Sequence, residues 1–118
     1  FVSPKPHVGL RLMDKVPAAF LGAGGRPTLL VVAHPDDECM FFGPTVRVLQ
    51  SCRRPIHVLC LSTGDAGPQR AGQRRTTELK HSCSVLGVPW SRVRVVDDAR
   101  LQDGMQSVWE PEVVAEVV

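Results

Sequence analysis

A histidine and three carboxylates stand together in residues 33–38, which read Ala-His-Pro-Asp-Asp-Glu. An imidazole and a carboxylate three residues apart on one tight turn can reach the same metal ion, and zinc accepts such nitrogen and oxygen ligands. His34 and Asp37 form that pair, and Pro35 stiffens the turn between them because its ring fixes φ. Asp36 is left beside the metal, where a general base for a water molecule is needed. The pattern predicts a zinc hydrolase.

The same acidic loop has a simpler interpretation, since Asp and Glu also favour the first turn of a helix. Two features lower the weight of that interpretation. His34 stands directly before a proline and directly after an apolar run. Three adjacent carboxylates also repel one another, and a bound cation removes that repulsion. A helix-capping loop and a metal-binding loop both remain possible from these residues alone.

The elements that must position this loop alternate along the chain. Apolar runs predict strands at residues 28–33, 56–61 and 93–97. Helical spacing predicts helices between and after them, at residues 44–51 and 69–86 and from about residue 110. The first run does not alternate, which predicts a strand buried on both faces. This β-α-β-α-β-α order predicts a Rossmann-like, three-layer α/β fold with a parallel sheet, apparently truncated.

Polar residues also follow the second predicted strand, at the same rim of the sheet as His34. They are Ser62, Thr63 and Asp65. Functional groups in open parallel sheets collect at the carboxyl ends of the strands, so these side chains are candidates to line a substrate pocket. A plain strand-to-helix turn is an equally good interpretation. The turn at Asp103-Gly104 lies near enough in the predicted topology to close over this rim.

On the long predicted helix, Arg75 and Glu78 are three positions apart. That spacing predicts an ion pair on the helix surface, worth only tenths of a kcal/mol.

Several further segments, in the same order, make a resemblance specific. They read Phe-Phe-Gly-Pro-Thr at 41–45, Leu-Cys-Leu-Ser-Thr-Gly at 59–64, Arg-Thr-Thr-Glu-Leu at 75–79, Leu-Gly-Val-Pro at 86–89 and Val-Asp-Asp at 96–98. With residues 33–38, they resemble the PIG-L family of zinc de-N-acetylases over roughly residues 28–118. The resemblance implies that His34 and Asp37 are zinc ligands and Asp36 the general base. It also implies that Arg75 supports the metal-binding residues or binds substrate.

The family's third zinc ligand is a histidine in a Gly-His-x-x-His type of motif, which this sequence does not contain. The resemblance is strongest to eukaryotic members, which implies hydrolysis of N-acetylglucosaminyl-phosphatidylinositol to glucosaminyl-phosphatidylinositol and acetate in GPI-anchor synthesis. It further implies a glycolipid substrate and a full-length protein associated with the cytoplasmic face of the endoplasmic reticulum membrane. A catalytically silent truncated form and a deacetylase of another small glucosaminide are the alternatives. A nucleotide-binding module is disfavoured because no Gly-x-Gly-x-x-Gly follows the first strand.

Composition sets the remaining expectations for this chain of 118 residues. Its formal net charge of +2 gives no reason to expect nucleic acid as a partner. Its four cysteines form no Cys-x-x-Cys pair; Cys60 lies in an apolar run and Cys83 at helical spacing from Leu79, which predicts buried thiols and a reducing compartment. No run is long and apolar enough to predict a membrane span. We expect residues 1–27 to be a flexible leader and 28–118 to be the N-terminal part of a de-N-acetylase domain.

Overall fold

One parallel sheet organises the protein, whose computed structural model describes residues 25–66 and 71–118. Its strands are β1 (Thr28–Val32), β2 (Ile56–Cys60) and β3 (Val93–Val95), and they lie in the order β1-β2-β3. Both strand pairs are parallel. The α/β class predicted from the sequence is therefore confirmed. Only residues 25–27 of the predicted leader lie within the described residues, so the division of the chain at residue 27 stays a prediction.

In the part of the chain that the structure describes, four α-helices connect or follow the strands. They are α1 (Asp37–Met40), α2 (Gly43–Ser51), α3 (Gly72–Val85) and α4 (Pro111–Val117). Pro44 lies in the first turn of α2, where its missing N–H costs nothing. Gly87 follows α3 with a φ of +90°, a conformation that suits glycine at a helix end. Within residues 25–66 and 71–118, no helix is long and apolar enough to cross a bilayer.

The apolar core lies between one face of the sheet and the two helices α2 and α3. Alternate residues of the strands face it, because successive side chains of a strand point to opposite sides. The buried core includes Val32, Ile56, Val58, Cys60 and Val93 from the sheet, Val46 and Leu49 from α2, and Leu79 and Cys83 from α3. Leu79 and Cys83, one turn apart on α3, are each 1% exposed and form the apolar stripe of this helix.

The opposite face of the sheet is only partly covered, which corrects the prediction that β1 is buried on both faces. Leu29 and Val31 on that face are 49% and 36% exposed. Right-handed crossovers that step in one direction across a sheet place both helices on the same side. The end of α4 approaches the other side, across a cavity of about 280 Å³ that Leu29, His57 and Val117 help to line.

All four cysteines are free thiols, and Cys52, Cys60 and Cys83 are buried while Cys39 is exposed. Burial raises the pKa of Cys60 to about 11 and that of Cys83 to about 12. Buried thiols with such pKa values stay protonated at neutral pH and behave as small apolar side chains.

Candidate active site

The loop that follows β1 is closed by one of its own carboxylates. Asp37 Oδ2 accepts hydrogen bonds from the backbone N–H groups of Ala33 (3.0 Å) and His34 (2.9 Å). The loop then passes directly into α1, whose first residue is Asp37 and whose N-cap is Asp36. Because β1 ends here and α1 begins, the loop residues are held at the carboxyl rim of the sheet.

His34 stands between two carboxylates at this rim. Its Nδ1 lies 4.0 Å from Asp37 Oδ2, and its Nε2 lies 3.0 Å from Asp103 Oδ1. The imidazole ring also lies 6.0 Å, centroid to centroid, from the indole of Trp109. The segment around Asp103 therefore closes over the rim, in the place where the turn at Asp103-Gly104 was predicted to lie.

Arg75 reaches from α3 into the site and joins three loops. Its guanidinium donates hydrogen bonds to the carbonyl oxygens of Gly64 (2.6 Å) and Pro35 (3.4 Å) and to Asp36 Oδ2 (3.2 Å). It also lies 3.8 Å from Asp103 Oδ2. The side chain is 26% exposed, so these contacts form at the edge of the protein interior. Arg75 thus binds both the loop after β1 and the loop after β2.

The predicted surface ion pair between Arg75 and Glu78 is wrong. Glu78 instead accepts a hydrogen bond of 2.9 Å from Arg74, one turn before it on the exposed face of α3. Successive helical residues point about 100° apart, so the neighbouring Arg75 faces the sheet while Arg74 faces solvent. The spacing i,i+3 allowed the pair, but the orientation of the helix on the sheet decided against it.

Gly64 allows Arg75 to approach the backbone after β2. It has a φ of +68°, in the left-handed region that L side chains rarely adopt. A Cβ at this position would overlap the guanidinium of Arg75 and would lie 2.9 Å from Cδ of Pro35. The glycine is therefore required both by its backbone conformation and by the close packing of these two side chains.

The three other polar residues predicted for this rim have different positions. Ser62 is 2% exposed, and its hydroxyl donates to the carbonyl oxygen of Ala33 (2.8 Å), so it braces the end of β1 against β2. Thr63 and Asp65 line an open cavity of about 550 Å³ beside the site. Its other lining residues are mostly polar and include Gln73, Thr76, Asp97 and Gln102. The residue types around this cavity suit a ligand that carries hydroxyl groups.

A second cavity, of about 390 Å³, opens directly on His34. The loop that carries Asp103 forms its other wall, with Met105 and Trp109 among the lining residues. Trp109 donates its indole N–H to the carbonyl oxygen of Gln102 (2.9 Å), which holds this loop in a compact turn. His34 is therefore open to a ligand on one side, with an apolar wall opposite.

Glu38 points away from the rim and into the core. The side chain is 1% exposed, and its Oε2 has no hydrogen-bond partner among the described residues. Its negative charge contributes to the raised pKa values of Cys39, Cys60 and Cys83, after the larger effect of burial on each thiol. The last carboxylate of the motif is thus structurally separate from the first two.

Comparison with known proteins identifies the family. The model of the PIG-L family, described as GlcNAc-PI de-N-acetylase, matches residues 29–118. The chain belongs to the PIG-L family. The match includes the loop after β1, Arg75 and Asp103, so it covers every side chain of the candidate site.

Individual PIG-L relatives agree with this assignment. The N-acetylglucosaminyl-phosphatidylinositol de-N-acetylase of Bos taurus is 42% identical over 106 residues, which cover 90% of this chain and 41% of the relative. A probable enzyme of the same name from Schizosaccharomyces pombe is 49% identical over 89 residues, or 74% of this chain and 35% of the relative. The Saccharomyces cerevisiae enzyme is 39% identical over 84 residues. The chain thus spans about two fifths or less of the length of these PIG-L relatives.

The candidate metal ligands of this PIG-L protein are a pair and not a larger cluster in the described residues. His34 and Asp37 lie together, but no group of three or more His, Cys, Asp or Glu side chains suited to a metal ion occurs within residues 25–66 and 71–118. Of the other histidines, His57 is exposed on a strand and His81 packs edge-on against Trp90 at 4.9 Å. His7 lies outside the described residues. In kind and spacing, His34 and Asp37 fit two ligands of a zinc site.

Two site residues have contacts that the sequence did not predict. Asp103 was placed near the rim but without a partner, and Trp109 was not singled out. Sixty-nine positions separate His34 from Asp103, and no periodicity connects residues so far apart. The predicted turn at Asp103-Gly104 was the one local signal for this part of the PIG-L site.

Proposed function

We propose that this chain carries the catalytic loop of a zinc-dependent deacetylase. The substrate would be N-acetylglucosaminyl-phosphatidylinositol, and the products glucosaminyl-phosphatidylinositol and acetate, in GPI-anchor synthesis. The observation that carries the proposal is the placement of His34, Asp36 and Asp37 on one hydrogen-bonded turn at the carboxyl rim of the sheet. The names of the PIG-L relatives support the substrate.

The charge balance of the site supports a bound cation. Asp36, Asp37 and Asp103 bring three formal negative charges, and Arg75 brings one positive charge to the same cluster. Three minus one leaves two negative charges without a counterion in the described residues when His34 is neutral. A divalent cation beside His34 and Asp37 would balance them, and it would remove the mutual repulsion of the carboxylates.

The chemistry divides between the metal and the side chains. Zinc held by His34 and Asp37 would supply a Lewis acid that polarises the acetamide carbonyl and makes a water molecule more acidic. Asp36 accepts the proton of the attacking water at its carboxylate, which is 47% exposed and so open to a solvent molecule. Arg75 holds that carboxylate through Oδ2 and keeps it aimed at the rim. Addition of water to the amide bond then yields acetate and a free amine.

The polar cavity beside the site is the place we assign to the sugar. Thr63 and Asp65 line it, together with Gln73 and Gln102, and hydroxyl and amide groups of this kind hydrogen-bond sugar hydroxyls. Among residues 25–66 and 71–118, the side chains that line this cavity include no Lys or Arg. Membrane association at the cytoplasmic face of the endoplasmic reticulum, with the lipid kept in the bilayer, is part of the same proposal.

The first test is zinc affinity, measured by chelator competition on this chain. His34→Ala and Asp37→Ala should each weaken binding at least tenfold, because each removes one of two ligands. His81→Ala is the matched control, since it removes an imidazole that packs on Trp90 away from the rim. Equal zinc affinity in all four proteins would overturn the metal assignment.

The second test addresses the substrate. Acetate release from N-acetylglucosaminyl-phosphatidylinositol would be followed with this chain and with a chimera in which it replaces the matched region of the bovine relative. Activity of the chimera that is lost on His34→Ala supports the proposal. A chimera that binds zinc and folds but releases acetate only from a soluble N-acetylglucosaminide would overturn the lipid substrate.

A further inference from the structure

We propose that Asp103 is a positioning residue for His34. It binds the Nε2 side of the imidazole and so presents Nδ1 to the metal beside Asp37. The inference rests on the zinc site proposed above, and it concerns a contact that joins the loop after β1 to the loop before α4. Asp103 itself would not bind the metal and would not touch the reacting atoms.

The two ring nitrogens of His34 have different surroundings. Nε2 is 3.0 Å from Asp103 Oδ1, the distance of an ion pair, whereas Nδ1 is 4.0 Å from Asp37 Oδ2. A neutral imidazole carries its proton on one nitrogen and offers a lone pair on the other. A carboxylate only accepts, so in a neutral imidazole the contact with Asp103 favours the proton on Nε2 and the lone pair on Nδ1. The ring is thereby oriented with its donor atom toward Asp37.

Asp103 is itself held in place from two directions. Its second oxygen, Oδ2, lies 3.8 Å from the guanidinium of Arg75. The backbone on either side is tied by the hydrogen bond from Trp109 to Gln102 (2.9 Å) and by Ser107 N–H to Gly104 O (3.0 Å). The Asp103 side chain is 21% exposed, so solvent competes little for its oxygens. A carboxylate fixed in this way can fix the ring that it binds.

Loss of the Asp103 carboxylate should lower the zinc affinity of the site. Histidine ligands usually donate their second ring N–H to a carboxylate or carbonyl, which selects the tautomer and the ring orientation. Loss of such a partner typically costs about 10- to 100-fold in metal affinity. Asp103 lies within the distance of such a partner, next to Nε2, whereas Asp37 lies nearer to Nδ1.

The experiment uses this chain with two substitutions at one position. Asp103→Leu removes the acceptor, whereas Asp103→Asn keeps an oxygen that can accept from Nε2. Asp97→Asn is the control for charge alone, because it removes an exposed carboxylate from the same rim that forms no ion pair with His34 in the described residues. Zinc affinity is measured by chelator competition, and the His34 tautomer in the zinc-free chain by 15N NMR. Circular dichroism and a urea midpoint establish that each variant folds.

The expected result is a loss of about 10- to 100-fold in zinc affinity in Asp103→Leu, with loss of the Nε2–H tautomer, as for carboxylates that contact the histidine ligands of other zinc sites. Asp103→Asn should keep the tautomer and lose less than about tenfold in affinity. Wild-type affinity and tautomer in a folded Asp103→Leu would overturn the inference while leaving the zinc site intact. Loss of all binding in Asp103→Asn would make Asp103 a ligand, which also overturns it. Zinc binding that His34→Ala does not change would instead overturn the proposed metal site.

Discussion

The guanidinium of Arg75 lies 3.2 Å from the carboxylate of Asp36, although 39 positions separate the two residues in the chain. The same side chain reaches the backbone after β2 through Gly64 and approaches Asp103 in a third loop. One residue of α3 therefore links the general base proposed above to the rest of the rim. This arrangement gives Arg75 a structural role that can be measured without substrate.

Arg75→Met should destabilise the protein by about 1–3 kcal/mol, because it leaves partly buried carbonyl and carboxylate oxygens without a charged donor. Arg74→Met is the matched control on the adjacent residue. Arg74 is mostly exposed and makes only an i,i+4 pair with Glu78, so its loss should cost less than about 0.5 kcal/mol. Urea unfolding of the two variants gives the comparison. Equal losses would show that the Arg75 contacts contribute no more than a surface pair.

Asp36→Asn should separate proton transfer from metal binding. The amide keeps the shape of the carboxylate and can still accept from Arg75, but it cannot take a proton from water. In the active chimera, acetate release should fall by about 10²- to 10⁴-fold, the usual contribution of a general base. Zinc affinity should change little. A variant that retains full turnover would remove Asp36 from the role of base.

Gly64→Ala should destabilise the protein by about 1–2 kcal/mol from the left-handed backbone alone. The added methyl group also displaces Arg75, so the total loss should exceed that figure. Gly43→Ala is the control, because a Cβ at Gly43 meets no atom within 4 Å and the residue begins α2. That change should be neutral, or stabilising by up to about 1 kcal/mol. Urea midpoints that fall equally for both variants would contradict the argument.

The cysteines should react in a fixed order with a thiol reagent at pH 8. The thiolate is the reactive form, and Cys39 is the exposed thiol among the four. Its pKa is raised, first by partial burial and then by the charge of Glu38, so its labelling should be slow and should accelerate as pH rises. Cys60 and Cys83, with pKa values of about 11 and 12, should react only after unfolding. Cys39→Ser should remove the labelling seen in the folded protein.

Much of the fold followed from local signals. The positions of strands and helices depend on short-range patterns of apolar residues, and the structure has each predicted strand and helix within a few residues of its predicted position. Pro44 lies at a helix start and Gly87 at a helix end, where these residue types are favoured. The alternation of these elements then restricted the topology to a parallel sheet, since short right-handed crossovers allow little else. The covering of β1 was mispredicted because a non-alternating apolar run does not report which face the helices occupy.

The residues of the candidate site likewise divide into those found from the sequence and those placed by the tertiary structure. The loop at residues 33–38 was found from the sequence because its groups are neighbours, and a turn of a few residues determines which of them can meet. The partners of that loop were decided by the tertiary structure. Arg75 turned inward instead of pairing with Glu78, and Asp103 came to His34 from a distant loop, because helix orientation and sheet order set those distances. Residue types and spacing thus determined which chemical groups this protein has for its site, whereas packing of the helices on the sheet determined which charged side chains hold those groups in place.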